Sequence, residues 1–239
     1  MEHWIYTTQL FGHGVSFNMD TILTMWFSML LLIILAIVTT RKLEIVPGKL
    51  QLVGESIIKY FNDISKASMG NDEAQKHIAI ILTLFMFILT ANLVGQLPLK
   101  LIHLAHGELA SPNNDINMTA AMAIVVSIYY IFYGVKKSGF KFFFKGFSID
   151  GIIITLVDTL ELFVRPFSLA LRLFANILAG ELLVATFIGL CSVAVPLPFM
   201  LFELFVALIQ ALVFTLLSTT YISMAVQDCL LYTSDAADE

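Results

Sequence analysis

The sequence predicts an all-α membrane protein, with five transmembrane helices plus one interfacial amphipathic helix. The last two spans form a long hairpin. Three observations carry this. The first is composition: 59% of the 239 residues are hydrophobic and 13% are charged, against about 45–50% and about 25% in an average soluble domain. With a mean hydropathy of +0.89, too few charges remain to cover a water-soluble fold. The second is a set of uncharged runs near the roughly 20 residues that cross a hydrocarbon layer. The third is the clustering of the 13 Lys and Arg residues in alternate loops. Disorder, a secreted disulfide scaffold and nucleic-acid binding through a basic patch are disfavoured, the last by a net charge of −5.

The elements follow in order as one membrane domain over residues 1–226. No Lys or Arg precedes Asp20, so a cleavable signal peptide is not expected. The first span, 21–40, lies between Asp20 and Arg41. In 48–69, Leu50, Val53, Ile57, Ile58, Phe61 and Ile64 recur at helical spacing opposite Lys, Asp and Glu. This segment reads as a helix lying on the cytoplasmic membrane face; the plainer alternative is a soluble loop helix. The second span, 78–98, follows His77, so every histidine is expected outside the spans. A polar loop with His103, His106, Glu108 and Asp115, punctuated by Pro98 and Pro112, separates it from the third span, 116–135. Helices over 152–190 and 198–226 follow, with Pro196 and Pro198 setting the turn between them. Cys191 and Cys229 have no metal-ligand spacing and read as ordinary thiols. No metal site or cofactor is expected. The tail 227–239 is atypical and is expected to be foreign to the native chain.

Orientation follows from the basic residues. Arg41, Lys42, Lys49, Lys59, Lys66 and Lys76 lie between the first two spans, and Lys136, Lys137, Lys141 and Lys145 follow the third. Only Lys100 lies between the second and third. Positive loops stay inside. The N-terminus is therefore outside and the C-terminus cytoplasmic.

The stretch 150–181 carries charge where charge is expensive, at about 2.5–3.5 kcal/mol for a group at mid-bilayer. Asp158, Glu161, Arg165, Arg172 and Glu181 all fall in it. At about 100° per residue, Glu161, Arg165, Ser168, Arg172 and Asn176 form one polar stripe. Glu161 and Arg165 are placed for an i,i+4 ion pair in the favourable order, which is also their bland explanation. Arg172 has no charged partner on its own helix, and Glu181 faces the opposite side. A guanidinium stays protonated in any protein environment. Its partner is therefore elsewhere in the chain, as a stabilising buried ion pair, or on another subunit. In the last helix Glu203 and Gln210 are nearly in line; a membrane Gln also serves as simple helix–helix glue.

The run Arg165-Pro166-Phe167-Ser168-Leu169-Ala170-Leu171-Arg172-Leu173-Phe174-Ala175-Asn176, followed by Ala179-Gly180-Glu181-Leu182, closely resembles the signature of subunit a of the F-type ATP synthase. Phe202-Glu203 through Gln210-Ala211, Phe214-Thr215 and Tyr221-Ile222 form a second match. Asn92-Leu93 with Pro98, and Asp115-Ile116-Asn117, form a weaker third. The resemblance covers about 20–226 and implies two offset aqueous half-channels serving a rotating ring of c subunits. It places Arg172 opposite the ring, Gln210 beside it and Asn176 nearby. Glu181 and Glu203 fall in the outer half-channel, Glu161 and Ser168 toward the inner exit, and Asp115 at the outer mouth. It further implies peripheral-stalk b subunits and other ATP synthase subunits as partners, no ATP catalysis by this chain, and a bacterial plasma membrane location. Many relatives carry one His and one Glu where this chain has Glu181 and Glu203.

Two other classes compete. A stand-alone ion-coupled secondary transporter would use Arg172 as a counter-charge, but the chain has no internal repeat of the transporter kind. An intramembrane enzyme would need a His-Glu-x-x-His, Ser/Lys or paired-Asp arrangement at useful spacing, and none is present.

Overall fold

A computed structural model describes residues 5–10, 13–41, 44–96, 112–139, 149–190 and 196–235. Five helices in it are long and apolar enough to cross a membrane, and the chain is an all-α membrane protein in architecture. One element departs from the sequence reading. Strands β1 (Ile5–Leu10) and β2 (His13–Asn18) pair antiparallel ahead of the first helix, with Ile5 opposite Asn18 and Leu10 opposite His13.

Helix α1 (Met19–Thr40) is an apolar span turned inside out. Trp26, Leu30, Ile33 and Ile37 face outward, while Asp20, Thr24 and Ser28 are buried at i, i+4 and i+8. The outward face suits lipid. The small inward hydroxyls return their protons to the helix itself: Thr24 Oγ1 donates to the Asp20 carbonyl at 2.9 Å and Ser28 Oγ to the Thr24 carbonyl at 2.8 Å. Such residues let helix backbones approach closely where no hydrophobic force drives association.

Helix α2 (Lys49–Met69) is amphipathic, with Leu50, Val53 and Ile58 exposed and Phe61, Ser65 and Met69 buried. It ends at Gly70, whose φ of 81° is open to glycine at no steric cost. The chain then re-enters directly as α3 (Asn71–Gln96).

Here one expectation is corrected. The helix begins before residue 78, and His77 lies inside it, fully buried. Its ring packs edge-on against Tyr129 and Tyr133, and Nδ1 is 2.9 Å from the Tyr129 hydroxyl. The sequence reading stopped the span at the first charge. The helix continues because its charged turn has partners: Glu73 pairs with Lys76 at 3.1 Å and with Lys137 at 3.3 Å.

A 3₁₀ turn, Pro112–Asn114, leads into α4 (Ile116–Ser138). Two long helices follow, α5 (Ile149–Leu190) and α6 (Pro196–Asp235), the latter continuing into the tail expected to be atypical. Helix α6 is the hub and touches α2, α3, α4 and α5. Its inner seam is small or hydroxylated: Ala207, Ala211, Thr215, Ser218 and Thr219 are all buried. Thr215, Ser218 and Thr219 donate to the carbonyls four residues back. Large side chains fill the remaining space, with Phe61 against Phe85 at 4.7 Å between ring centroids, and Ile81, Ile88, Tyr130, Leu173 and Phe214 buried around them. Helix α1 flanks α3, and α5 flanks α4 and α6.

Candidate functional site: a charged stripe on the fifth helix

The stripe is set by how α5 seats itself. Leu169, Ala170, Leu173 and Ile177 are buried, and the 3.6-residue period turns this face toward α4 and α6. Arg172 lies roughly 115° from the centre of that buried row and is exposed. Around it Phe163, Val164, Phe167 and Leu171 are exposed as well, so the guanidinium emerges from an apolar surface. Among the described residues no hydrogen bond or ion pair reaches the Arg172 side chain. Ser168 is exposed one turn before it, and Asn176 is half-buried one turn after.

Toward the N-terminal end of α5 the stripe changes character. The Arg165 guanidinium bonds the Glu161 carboxylate and lies 5.1 Å from the centroid of the Tyr221 ring on α6. Pro166, beside it, has no N–H and so leaves the Leu162 carbonyl without its helical partner.

On α6, Gln210 is buried, and among the described residues its Nε2 has no hydrogen-bond partner; no hydrogen bond joins it to Arg172. Glu203 is half-buried and packs on α5 at Gly180. A Cβ at position 180 would stand 2.7 Å from Glu203 Cδ and closer still to Oε1. The glycine is what admits the carboxylate. Glu181 follows it in the helix, but its side chain, like that of Asp158, lies outside the described residues, as do His103, His106 and Glu108 altogether.

Asp115 caps the start of α4: its Oδ1 accepts from the Asn117 backbone at 2.9 Å, and its Oδ2 accepts from Asn18 Nδ2 at 2.7 Å. Just before it, the buried Asn113 donates to Asn92 Oδ1 at 2.7 Å, and Asn92 Nδ2 donates to the Ala207 carbonyl at 3.1 Å. These bonds pin the 3₁₀ turn to α3 and α3 to α6. Sequence reasoning quoted Asn92 and Gly180 only as parts of motifs and passed over Asn18, Asn113 and the packing role of Tyr221. A buried amide within an apolar span is costly unless paired, so Asn92 was detectable. Its partners were not, because they lie far away in sequence.

These features define a class: a polytopic all-α membrane protein whose fifth helix presents, among apolar side chains, a guanidinium with no partner among the described residues. The model of the ATP synthase A chain family matches residues 22–223. The chain is 44% identical over 214 residues to ATP synthase subunit a of Gloeobacter violaceus (strain ATCC 29082 / PCC 7421), covering 90% of this chain and 86% of that one. It is 38% identical over 228 residues to the chloroplastic ATP synthase subunit a of Stigeoclonium helveticum, covering 95% and 91%. The chain belongs to the ATP synthase A chain family.

Proposed function

We propose that this chain is the non-catalytic, ion-translocating subunit a of a bacterial ATP synthase. In this reading it forms two aqueous half-channels that carry protons to and from the carboxylates of a c-subunit ring. The observation that carries the reading is Arg172, exposed on an apolar face of α5 with no partner among the described residues. A permanent charge in that setting is costly unless an acid from outside meets it.

The chemistry fits the residue type. A ring carboxylate must be neutral against lipid and ionised while it exchanges its proton. A fixed cation within a few ångströms favours the ionised form. Arginine holds its charge regardless of burial, whereas a lysine can discharge. The same charge bars protons from passing straight between the half-channels.

Glu181 and Glu203, with Asp115 at the mouth, serve the outer half-channel. Gln210 and Asn176 flank the exchange point, and Glu161 and Ser168 line the inner exit. The ring packs on the Arg172 face. Peripheral-stalk b subunits and the other ATP synthase subunits complete the assembly in the plasma membrane, with the N-terminus of this chain outside and catalysis on its partners. A field of 100 mV supplies about 2.3 kcal/mol per charge, so several protons drive each ATP.

The test is Arg172→Ala in membrane vesicles bearing the whole complex. ATP-driven acidification should vanish while the complex still assembles, because the side chain holds no partner among the described residues. Retained acidification would refute the role. Proton-coupled transport by the purified chain alone would instead favour a stand-alone transporter.

A further inference from the structure

Arg165 and Tyr221 belong to the matched motifs, yet neither has a part in the scheme above. The structure brings them together. The Arg165 guanidinium lies 5.1 Å from the Tyr221 ring centroid and bonds the Glu161 carboxylate one turn back on α5. Tyr221 in turn leans toward Tyr130 of α4, with ring centroids 6.3 Å apart. Tyr130 is almost wholly buried. The ring is thus backed by a second aromatic and flanked by the buried Ile222, and the next residue, Ser223, anchors α6 to α2 through a 2.6 Å bond to the Ser68 carbonyl.

Three helices therefore meet on one side chain. The Arg165 side chain is 17% exposed while that of Glu161 is 45% exposed: the cation is tucked in and the acid held out. A guanidinium stacks on an aromatic face far better than a lysine ammonium can, and its planar fork still has donors for a carboxylate. A surface ion pair of this spacing alone is weak and would not fix a carboxylate. The ring removes that freedom from the cation.

We propose that Tyr221 is a positioning residue for proton exit: its ring seats the Arg165 guanidinium, which holds the Glu161 carboxylate at the inner mouth. This rests on the assignment of Glu161 to the inner half-channel made above. Tyr221 touches no proton itself. Its phenol oxygen is not required, only its face, which separates this role from a relay.

The experiment uses vesicles bearing the complete ATP synthase, with pumping measured per assembled complex while the cytoplasmic-side pH is varied. Tyr221→Leu should lower the rate several-fold and change the cytoplasmic pH profile, because a carboxylate no longer held by its cation does not stay at the exit. Tyr221→Phe should restore both rate and profile. Arg165→Lys, which keeps the charge and loses the planar stack, should move the profile as the leucine variant does, and it stands in if that variant fails to assemble. A leucine variant with an unmoved profile overturns the proposal, as does a phenylalanine variant as impaired as the leucine one. Glu161→Gln at full rate with an unmoved profile sinks the half-channel assignment beneath it. An impaired Glu161→Gln beside an unaffected Tyr221→Leu sinks the positioning role alone.

Discussion

Arg165 and Arg172 are the same residue on the same stripe of the same helix, two turns and roughly 10.5 Å apart, and their surroundings are opposite. Arg165 has an acid one turn back and an aromatic ring from α6. Arg172 has neither among the described residues and stands among exposed Phe167 and Leu171. The lesson concerns what each charge is for. A cation satisfied within its own chain is part of that chain's structure. A cation left bare on an apolar face is matched by something the chain does not contain. The proposed function assigns the first to holding an acid and the second to meeting one from a neighbouring subunit.

The sharpest way to break this contrast is Arg172→Lys. Charge is kept, but the ammonium discharges more readily and lacks the planar fork. Coupled pumping should fall to background in a vesicle acidification assay, with assembly on native gels unchanged. Arg165→Gln should do less, cutting pumping several-fold, because the inner acid is loosened and not lost. Rates as low as those of the Arg172 variants would erase the distinction.

Gly180→Ala sharpens the contrast from the other side. The added methyl must displace Glu203, at a strain typical of overpacking, about 1–3 kcal/mol. Passive proton flux through vesicles stripped of the catalytic head should slow several-fold, without loss of the subunit from the membrane. Asn92→Leu leaves the buried Asn113 amide unpaired and removes the bond to the Ala207 carbonyl, which costs about 1–3 kcal/mol. It should lower the thermal resistance of the extracted complex more than it lowers pumping. Ser223→Ala removes one bond between α6 and α2. The expected loss is about 0.5–1.5 kcal/mol, read as a small fall in the same melting measurement.

The helices were legible because each is set by its own residues. Uncharged runs bounded by Asp20 and Arg41, or by Asp115 and Lys136, correspond closely to α1 and α4. The pattern in 48–69 corresponds to α2, capped at the predicted end by Gly70. The first turns of α3 were misread for a physical reason: charge alone does not end a helix when Glu73, Lys76 and Lys137 neutralise one another. The N-terminal hairpin was missed because its residues show no alternation strong enough to stand apart from the apolar background.

The stripe itself was legible too, since an angle of about 100° per residue aligns Glu161, Arg165, Ser168, Arg172 and Asn176 from the sequence alone. So was the Glu161–Arg165 pair, four residues apart. What spacing could not say is which arginine would be answered from another helix. Tyr221 is more than fifty residues from Arg165 in the chain, Glu203 more than twenty from Gly180, and Ala207 more than a hundred from Asn92.

The sequence by itself settled membrane residence, helix number, the amphipathic pattern of 48–69 and the positions of the expensive charges. These depend on composition and on a local period that every residue shares with its near neighbours. Only the tertiary structure decided which arginine is answered from another helix, which glycine admits a carboxylate and which asparagines tie helices together. Such partnerships depend on where distant segments dock, and docking is fixed by the summed packing of whole helix faces, not by any short motif.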